Sequence, residues 1–365
     1  MTDKLHEHST PKYNIKRYDL SVDKSLKPWS AADEFLLQAF TSLKNKTNNP
    51  AIYNDQFGFL SCSLHSYNPI VIQTHKSQEK AIKNNLLFNG LNPLNFSSPL
   101  STLKNKLDIA LVKIPKSLGL FQLFLEHIAN NSSNNITVIC SFMTRNFNSN
   151  LLKIATEYFE GVEQSRALKK ARLITLTKRK SRPKKEIITS LNYNNQEYLQ
   201  YLGVFSGEHI DYATQFFLKH IDVSPNDERI LDLASGNGII GNEIHKNFPE
   251  AKIDLMDDSL LAVASAELNL QGQNIHHHTN NELSLFDSNT FNLIVTNPPF
   301  HFEYEINIRI PLELFKECFR CLKKGGNLQI VANKNLGYKP HLSALFSYIK
   351  IIAVDKKFII YQCFK

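Results

Sequence analysis

Asn297, Pro298, Pro299 and Phe300 follow directly on the apolar run 291–296, and together they set an amide and an aromatic ring at a strand end, where open α/β sheets bind ligands. The asparagine side-chain oxygen accepts one hydrogen bond, and the backbone carbonyl of Pro298 accepts a second. The two prolines forbid the run to continue as a strand and restrict the residue ahead of each to extended backbone, so Asn297 is held stiffly. Phe300 offers a flat face on which a base can stack, and His301 could contact base or phosphate. The plainer alternative is a rigid turn followed by a buried ring, and a Pro-Pro alone would favour it. Upstream, Asp232 leads a tight turn, Ala234-Ser235-Gly236-Asn237-Gly238, in which Gly236 and Gly238 let the backbone approach a ligand closely. Asp257 stands 25 residues after Asp232 at the end of the next apolar run, where a carboxylate can accept hydrogen bonds from ribose hydroxyls. A nicotinamide enzyme would also use these glycines, and Gly241 follows at the third position of that fingerprint. A dehydrogenase, however, has no use for Asn-Pro-Pro-Phe.

Such residues must be carried by elements that bring strand ends together. The pattern predicts strand 229–233, helix 239–248, strand 252–256, helix 260–270, strand 275–279 and a strand ending at Asn297. A helix over 312–322 then closes on Lys323-Lys324-Gly325-Gly326, the ordinary helix-stop chemistry. Strand 327–332, a short helix and a hairpin through Lys356-Lys357 complete the half. Strands alternating with helices predict an α/β fold with a doubly wound, mostly parallel sheet, whose ligands bind at the carboxyl ends of the strands.

The amino-terminal half repeats this plan with worn features. Its first strand and turn, 52–60, contain only Gly58, and 70–73 and 76–87 follow as strand and helix. Residues 108–116 line up with 292–299, which places Ile114 against Asn297 and His75 near Asp257. The duplication predicts a degenerate domain over 1–178, a basic linker over 179–195 and a cofactor-binding domain over 196–365.

The whole chain, 365 residues with 42% hydrophobic and 21% charged, is ordinary for a globular protein of two domains. No apolar run approaches the ~18 residues of a membrane helix, and the polar start, MTDKLHEHSTPKYNIKR, lacks a secretory core, so a cytoplasmic protein is expected. Five cysteines make no disulfide framework. Cys318 and Cys321 form a C-x-x-C, yet they share one helical face with Leu314 and Leu322 and are expected to be core. His276, His277 and His278 alternate faces in a strand, so no metal site is expected. The net charge of +8 is concentrated: residues 169–185, KKARLITLTKRKSRPKK, hold nine Lys and Arg and no acid. Without them 33 basic residues face 34 acidic ones. A localised stripe of this kind is either a solvated linker or a grip on phosphate backbones, and Lys178, Arg179, Lys180 and Arg182 are its candidate contacts.

Taken together these residues resemble the class I S-adenosylmethionine-dependent methyltransferases. The stretches WSAADEFLLQAF, FSGEHIDYA, DLASGNGIIG, MDDS, NPPFH and QIVAN are similar to the bacterial ribosomal RNA guanine-N2 methyltransferases, those acting on the large ribosomal subunit more than those acting on the small one. The resemblance implies two tandem Rossmann-like domains with mostly parallel seven-stranded sheets, the first degenerate. It also implies S-adenosylmethionine bound through Asp232, Gly236, Gly238, Asp257 and Asn281, catalysis through Asn297, Pro298 and Phe300, and a ribosomal RNA substrate, 23S first, met by a monomer. Two departures stand out. Gly207 replaces the family's usual arginine after Phe-Ser, loosening a contact near the methionine moiety, and Ala234 replaces the first glycine of the turn, a change the fold should accept. Planar amino groups are also the targets of adenine-N6 and glutamine-N5 methyltransferases, which use Asn-Pro-Pro-aromatic motifs. Those enzymes, a 16S-directed relative and a silent RNA-binding assembly factor are the alternatives.

Overall fold

The computed structural model describes residues 13–17, 26–43, 49–298, 301–302, 305–306 and 309–365. Contacts divide the chain in two, the bulk of one unit ending at Lys185 and the bulk of the other beginning at Glu186. That break falls inside 179–195, and residues 188–193 of this expected linker are a strand of the second unit.

In the first unit the strands are β1 (Ala51–Tyr53), β2 (Ile70–Ile72), β3 (Asn95–Ser97), β4 (Leu107–Lys113), β5 (Ser132–Met143), β6 (Phe159–Gln164) and β7 (Ala171–Arg179). They form one seven-stranded sheet in the order β3-β2-β1-β4-β5-β7-β6. Pairing is parallel from β3 to β5, and β7 runs antiparallel to both its neighbours. Helices α1 (Ala31–Thr41), α2 (Phe59–Ser63), α3 (Lys76–Phe88), α4 (Leu118–Asn131) and α5 (Asn150–Tyr158) accompany it.

The second unit opens with a hairpin, β8 (Ile188–Tyr193) and β9 (Gln196–Tyr201). Its two turn residues, Asn194 and Asn195, both have positive φ, +47° and +62°, the backbone that matches the twist of paired strands. The main sheet contains β10 (Arg229–Leu233), β11 (Lys252–Asp257), β12 (Ile275–Thr279) and β13 (Phe291–Thr296). A two-residue ribbon, β14 (His301–Phe302) with β15 (Glu305–Ile306), precedes its last strands, β16 (Leu322–Asn333), β17 (Tyr348–Val354) and β18 (Phe358–Phe364). The order is β12-β11-β10-β13-β16-β18-β17, with β18 antiparallel to β16 and β17. Helices α6 (Tyr212–Leu218), α7 (Ile239–Asn247), α8 (Leu260–Asn269), α9 (Arg309–Cys321) and α10 (Lys339–Ser343) complete it. This is the doubly wound arrangement expected, present twice.

Strand alternation builds a core on each face. Ile230, Leu293 and Val295 pack with Ile239, Ile240 and Ile244 of α7 and Ala266 of α8. Leu231, Leu233 and Ile294 pack on the opposite face with Phe315, Cys318 and Cys321 of α9. All five cysteines are free and buried, so the C-x-x-C is core. His277 Nε2 bonds the Leu270 carbonyl at 2.8 Å and His278 Nε2 bonds Asp254 at 2.8 Å. No cluster among the described residues could hold a metal ion, and no helix among them is long and apolar enough to cross a membrane.

Strand order reverses between β10 and β13, the place where open α/β sheets bind ligands. Leu233 pairs with Thr296 there, so Ala234 and Asn297 leave the sheet side by side. The same pairing corrects the alignment of the halves. Tyr53 pairs with Ile72 and Val112 as Leu233 pairs with Met256 and Thr296. Gln73, and not His75, therefore corresponds to Asp257, and Lys113, and not Ile114, to Asn297. Matching Pro115 to Pro298 slips the register by one, which reverses the face of every side chain.

Candidate active site

The glycine turn is held in a conformation that few side chains tolerate. Gly236 and Gly238 have φ of +56° and +80°. A Cβ on Gly238 would lie 3.0 Å from the Cβ and 3.2 Å from the Cα of Ala266, whereas one on Gly236 would meet nothing within 4 Å. Gly238 thus lets α7 and α8 close together, and Gly236 faces open space. Ala234 also has positive φ, +59°. For an alanine that costs about 1–2 kcal/mol, so the change from glycine is less mild than its small size suggests.

Two carboxylates brace this turn. Asp257, at the end of β11, accepts from Gly236 N at 3.0 Å and Ser259 N at 2.8 Å. Burial raises its pKa, and those two N–H groups pull it back part of the way. Two accepted bonds leave a carboxylate with further lone pairs, enough for ribose hydroxyls. Asp232 is wholly buried in β10. Its Oδ2 accepts from Gly241 N at 2.8 Å, and its Oδ1 has no partner among the described groups. Burial pushes its carboxyl up to about 7, opposed by the Gly241 N–H and reinforced by the charge on Asp257. Asn281 follows β12 and is half-buried. Its N–H bonds Asn280 Oδ1 at 2.8 Å, while Asn280 N–H bonds the Asp257 carbonyl at 3.0 Å. The five expected cofactor residues therefore gather at the ends of β10, β11 and β12. An unpartnered buried oxygen, an open glycine and a carboxylate with acceptor capacity fit S-adenosylmethionine.

Asn297 lies at the end of β13 with its amide anchored. Nδ2 donates to Asp211 Oδ2 at 3.1 Å and to Thr214 Oγ1 at 3.0 Å. Because a carboxylate can only accept, the nitrogen must face Asp211, which turns Oδ1 the other way. Pro298 is buried beside it. Pro299 and Phe300 lie outside the described residues, as does the side chain of His301.

The basic stripe is not uniform. Lys178 is exposed, at positive φ, near the end of β7. Arg179 donates to Asn134 Oδ1, and Lys180 Nζ to the Thr156 carbonyl at 2.6 Å. Arg182 is largely buried, its guanidinium 2.8 Å from Glu126 Oε2 and 4.2 Å from the Tyr158 ring centroid. Burial would raise the Glu126 carboxyl, but Arg182, the Lys185 N–H and Asn130 together hold it below its ordinary value. Arg182 is thus committed within its own unit, far more than a free phosphate contact would be.

Several residues of the site show their role only in the fold. Asp211 caps α6, accepting from Ala213 N and Thr214 N at 3.1 and 3.2 Å; an aspartate two residues ahead of a buried alanine marks such a cap, but its reach to β13 does not show. The hairpin escapes a sequence reading because its Asn-Asn turn looks like loop. Its Gln200 accepts from Asn237 Nδ2 at 3.0 Å. Asn269 of α8 bonds the backbone of Leu199 in both directions at 2.7 Å and the Asn237 carbonyl at 2.8 Å, stitching hairpin, helix and glycine turn together.

The first unit keeps the shape of the turn without its chemistry. Asn54 and Gly58, φ +62° and +88°, follow β1 as Ala234 and Gly238 follow β10, but buried Phe57 stands where Asn237 does. Lys113, in the place of Asn297, is paired 3.0 Å from the buried carboxylate of Asp33.

Residues 4–180 match the family model described as RLMG N-terminal domain, and residues 195–362 match Methyltransferase small domain. The chain is 30% identical over 363 residues to a protein of Vibrio cholerae serotype O1 named Ribosomal RNA large subunit methyltransferase G, covering 96% of each chain. A protein of the same name from Klebsiella pneumoniae (strain 342) is 31% identical over 366 residues, 97% of this chain and 96% of that one. Among solved structures, the T. thermophilus 16S rRNA N2 methyltransferase RsmC, in complex with AdoMet and guanosine, superposes with a TM-score of 0.75 over 92% of both chains at 18% identity, a likeness of fold.

Proposed function

The chain belongs to the ribosomal RNA large subunit methyltransferase G family, and on that premise we propose that its second unit transfers a methyl group from S-adenosylmethionine to the exocyclic N2 of a guanine in large-subunit ribosomal RNA. The observation that carries this reading is the fixed amide of Asn297, nitrogen inward and oxygen outward, at the switch point beside the glycine turn. A guanine amine is a poor nucleophile because its lone pair is delocalised into the ring. Asn297 Oδ1 and the Pro298 carbonyl each accept one of its N–H bonds, which holds the nitrogen and favours pyramidal geometry. The cofactor supplies an electrophilic methyl on a sulfonium. With the cofactor bound, these two acceptors would hold the amine through the transfer and its proton would then leave to solvent, so no base is needed before attack. Positioning of this kind is where the rate gain lies.

Asp232, Gly236, Gly238, Asp257 and Asn281 hold the cofactor in this reading, Asn281 reaching its adenine amino group, and Phe300 stacks on the target base. The first unit and the exposed part of its basic stripe bind RNA, since a base-modifying enzyme must extrude its target and grip the flanking backbone. In this reading the enzyme works as a monomer, and a ribosomal RNA substrate supports a cytoplasmic enzyme. The test is to map N2-methylguanine in large-subunit ribosomal RNA from cells with and without the protein, and to repeat the transfer with the purified chain. A single guanine losing its methyl group in the deletion supports the reading. Unchanged large-subunit RNA, or transfer to adenine or to a protein instead, overturns it.

A further inference from the structure

We propose that Asp211 is a positioning residue that fixes the flip state of the Asn297 amide and thereby makes the site accept N–H donors only; the proposal rests on the methyl-transfer reading above. An asparagine amide has two ends of similar shape and opposite hydrogen-bonding character, so a catalytic carbonyl needs something to tell the ends apart. Thr214 Oγ1, buried at 3.0 Å from Nδ2, cannot, because a hydroxyl both donates and accepts. Asp211 Oδ2, at 3.1 Å, can. Turning the amide over would set its oxygen against the carboxylate with no proton between them. The same Oδ2 accepts from Ala213 N and Thr214 N, so the carboxylate is anchored to α6 while it reads the amide of β13, 86 residues away. The selectivity follows. With Oδ1 outward the site presents an acceptor, which suits an amine and repels the carbonyl O6, which lies beyond N1 on the same edge of guanine.

The test uses the full chain in single-turnover methyl transfer, with large-subunit ribosomal RNA and S-adenosylmethionine. Asp211→Ser retains a good helix cap but is too short to reach Asn297. It should slow transfer by about tenfold or more, as small misplacements of a reacting group do, while the half-saturating concentrations of cofactor and RNA stay within about twofold of the parent and the unfolding midpoint is unchanged. Asp211→Asn, whose oxygen can still take the amide N–H, should recover part of the rate. In an Asn297→Ala background Asp211→Ser should cost nothing further, because partners acting through one another are not additive. Full activity of Asp211→Ser beside a crippled Asn297→Ala overturns the positioning role and leaves the proposed function standing. So does a second full loss on the Asn297→Ala background. Full activity of Asn297→Ala overturns the proposed function itself. Should Asp211→Ser fail to fold, the cycle of Asp211→Asn with Asn297→Ala gives the same coupling.

Discussion

Asp232→Asn should change how the stability of the second unit depends on pH. The Asp232 carboxyl, 3.8 when unperturbed, is pushed up to about 7 by burial in β10. A raised folded pKa means the fold favours the protonated form. The stability this contributes is full below pH about 4 and is lost as the pH rises through about 7. Between those values the loss is about 1.36 kcal/mol per pH unit, or roughly 2.7 kcal/mol from pH 5 to 7. Asparagine does not titrate, and its oxygen can keep the Gly241 N–H. The stability of the variant relative to the parent should therefore climb by roughly 2–3 kcal/mol over that interval, whatever the fixed cost of the new amide. Urea unfolding at pH 5, 6, 7 and 8 measures it. Trp29, the single tryptophan, lies in the first unit, so circular dichroism is the signal to follow. Parallel pH curves for parent and variant would show Asp232 to titrate as an ordinary carboxyl and would refute the reasoning.

Ala234→Gly removes the left-handed penalty and adds glycine's own entropy cost, for a net gain of roughly 0.5–1 kcal/mol; a lowered melting temperature would contradict the assigned φ of +59°. Asp257→Ala should weaken S-adenosylmethionine binding by at least tenfold in calorimetry and leave RNA binding unchanged, and unaltered cofactor affinity would remove Asp257 from the site. Lys178→Ala should lower RNA affinity and reduce the salt slope by about 0.7–0.9 for the one phosphate it releases, whereas Arg182→Ala should destabilise the first unit by about 3–5 kcal/mol because it strands the buried Glu126. A mild Arg182→Ala with a flattened salt slope would reverse those roles.

Both sheets are legible in the sequence because their signals are local. Apolar runs of strand length, the glycines of the turn and the double proline after β13 each act within a few residues. What escapes depends on distance or on backbone angle. The slip between Ile114 and Lys113 arises because proline spacing stands in for strand pairing, which alone fixes register. The hairpin β8–β9 stays hidden because its paired asparagines read as loop until their positive φ is known. Ala234 is small, so its residue type hides the strain of its position. Asp211 and Asn297 are 86 residues apart, and no periodicity links an aspartate capping one helix to an amide ending a strand.

The Lys113–Asp33 pair has a historical consequence. If the two units descend from one duplicated ancestor, the first copy cannot recover an amide at that place in one step. Lys113→Asn would leave the Asp33 carboxylate, also bonded to Ser30, buried without its cation, at a cost of about 3–5 kcal/mol. That intermediate loses a large part of the stability of a typical domain. On that descent the ion pair bars the direct route back, because the buried acid must change before the lysine can go.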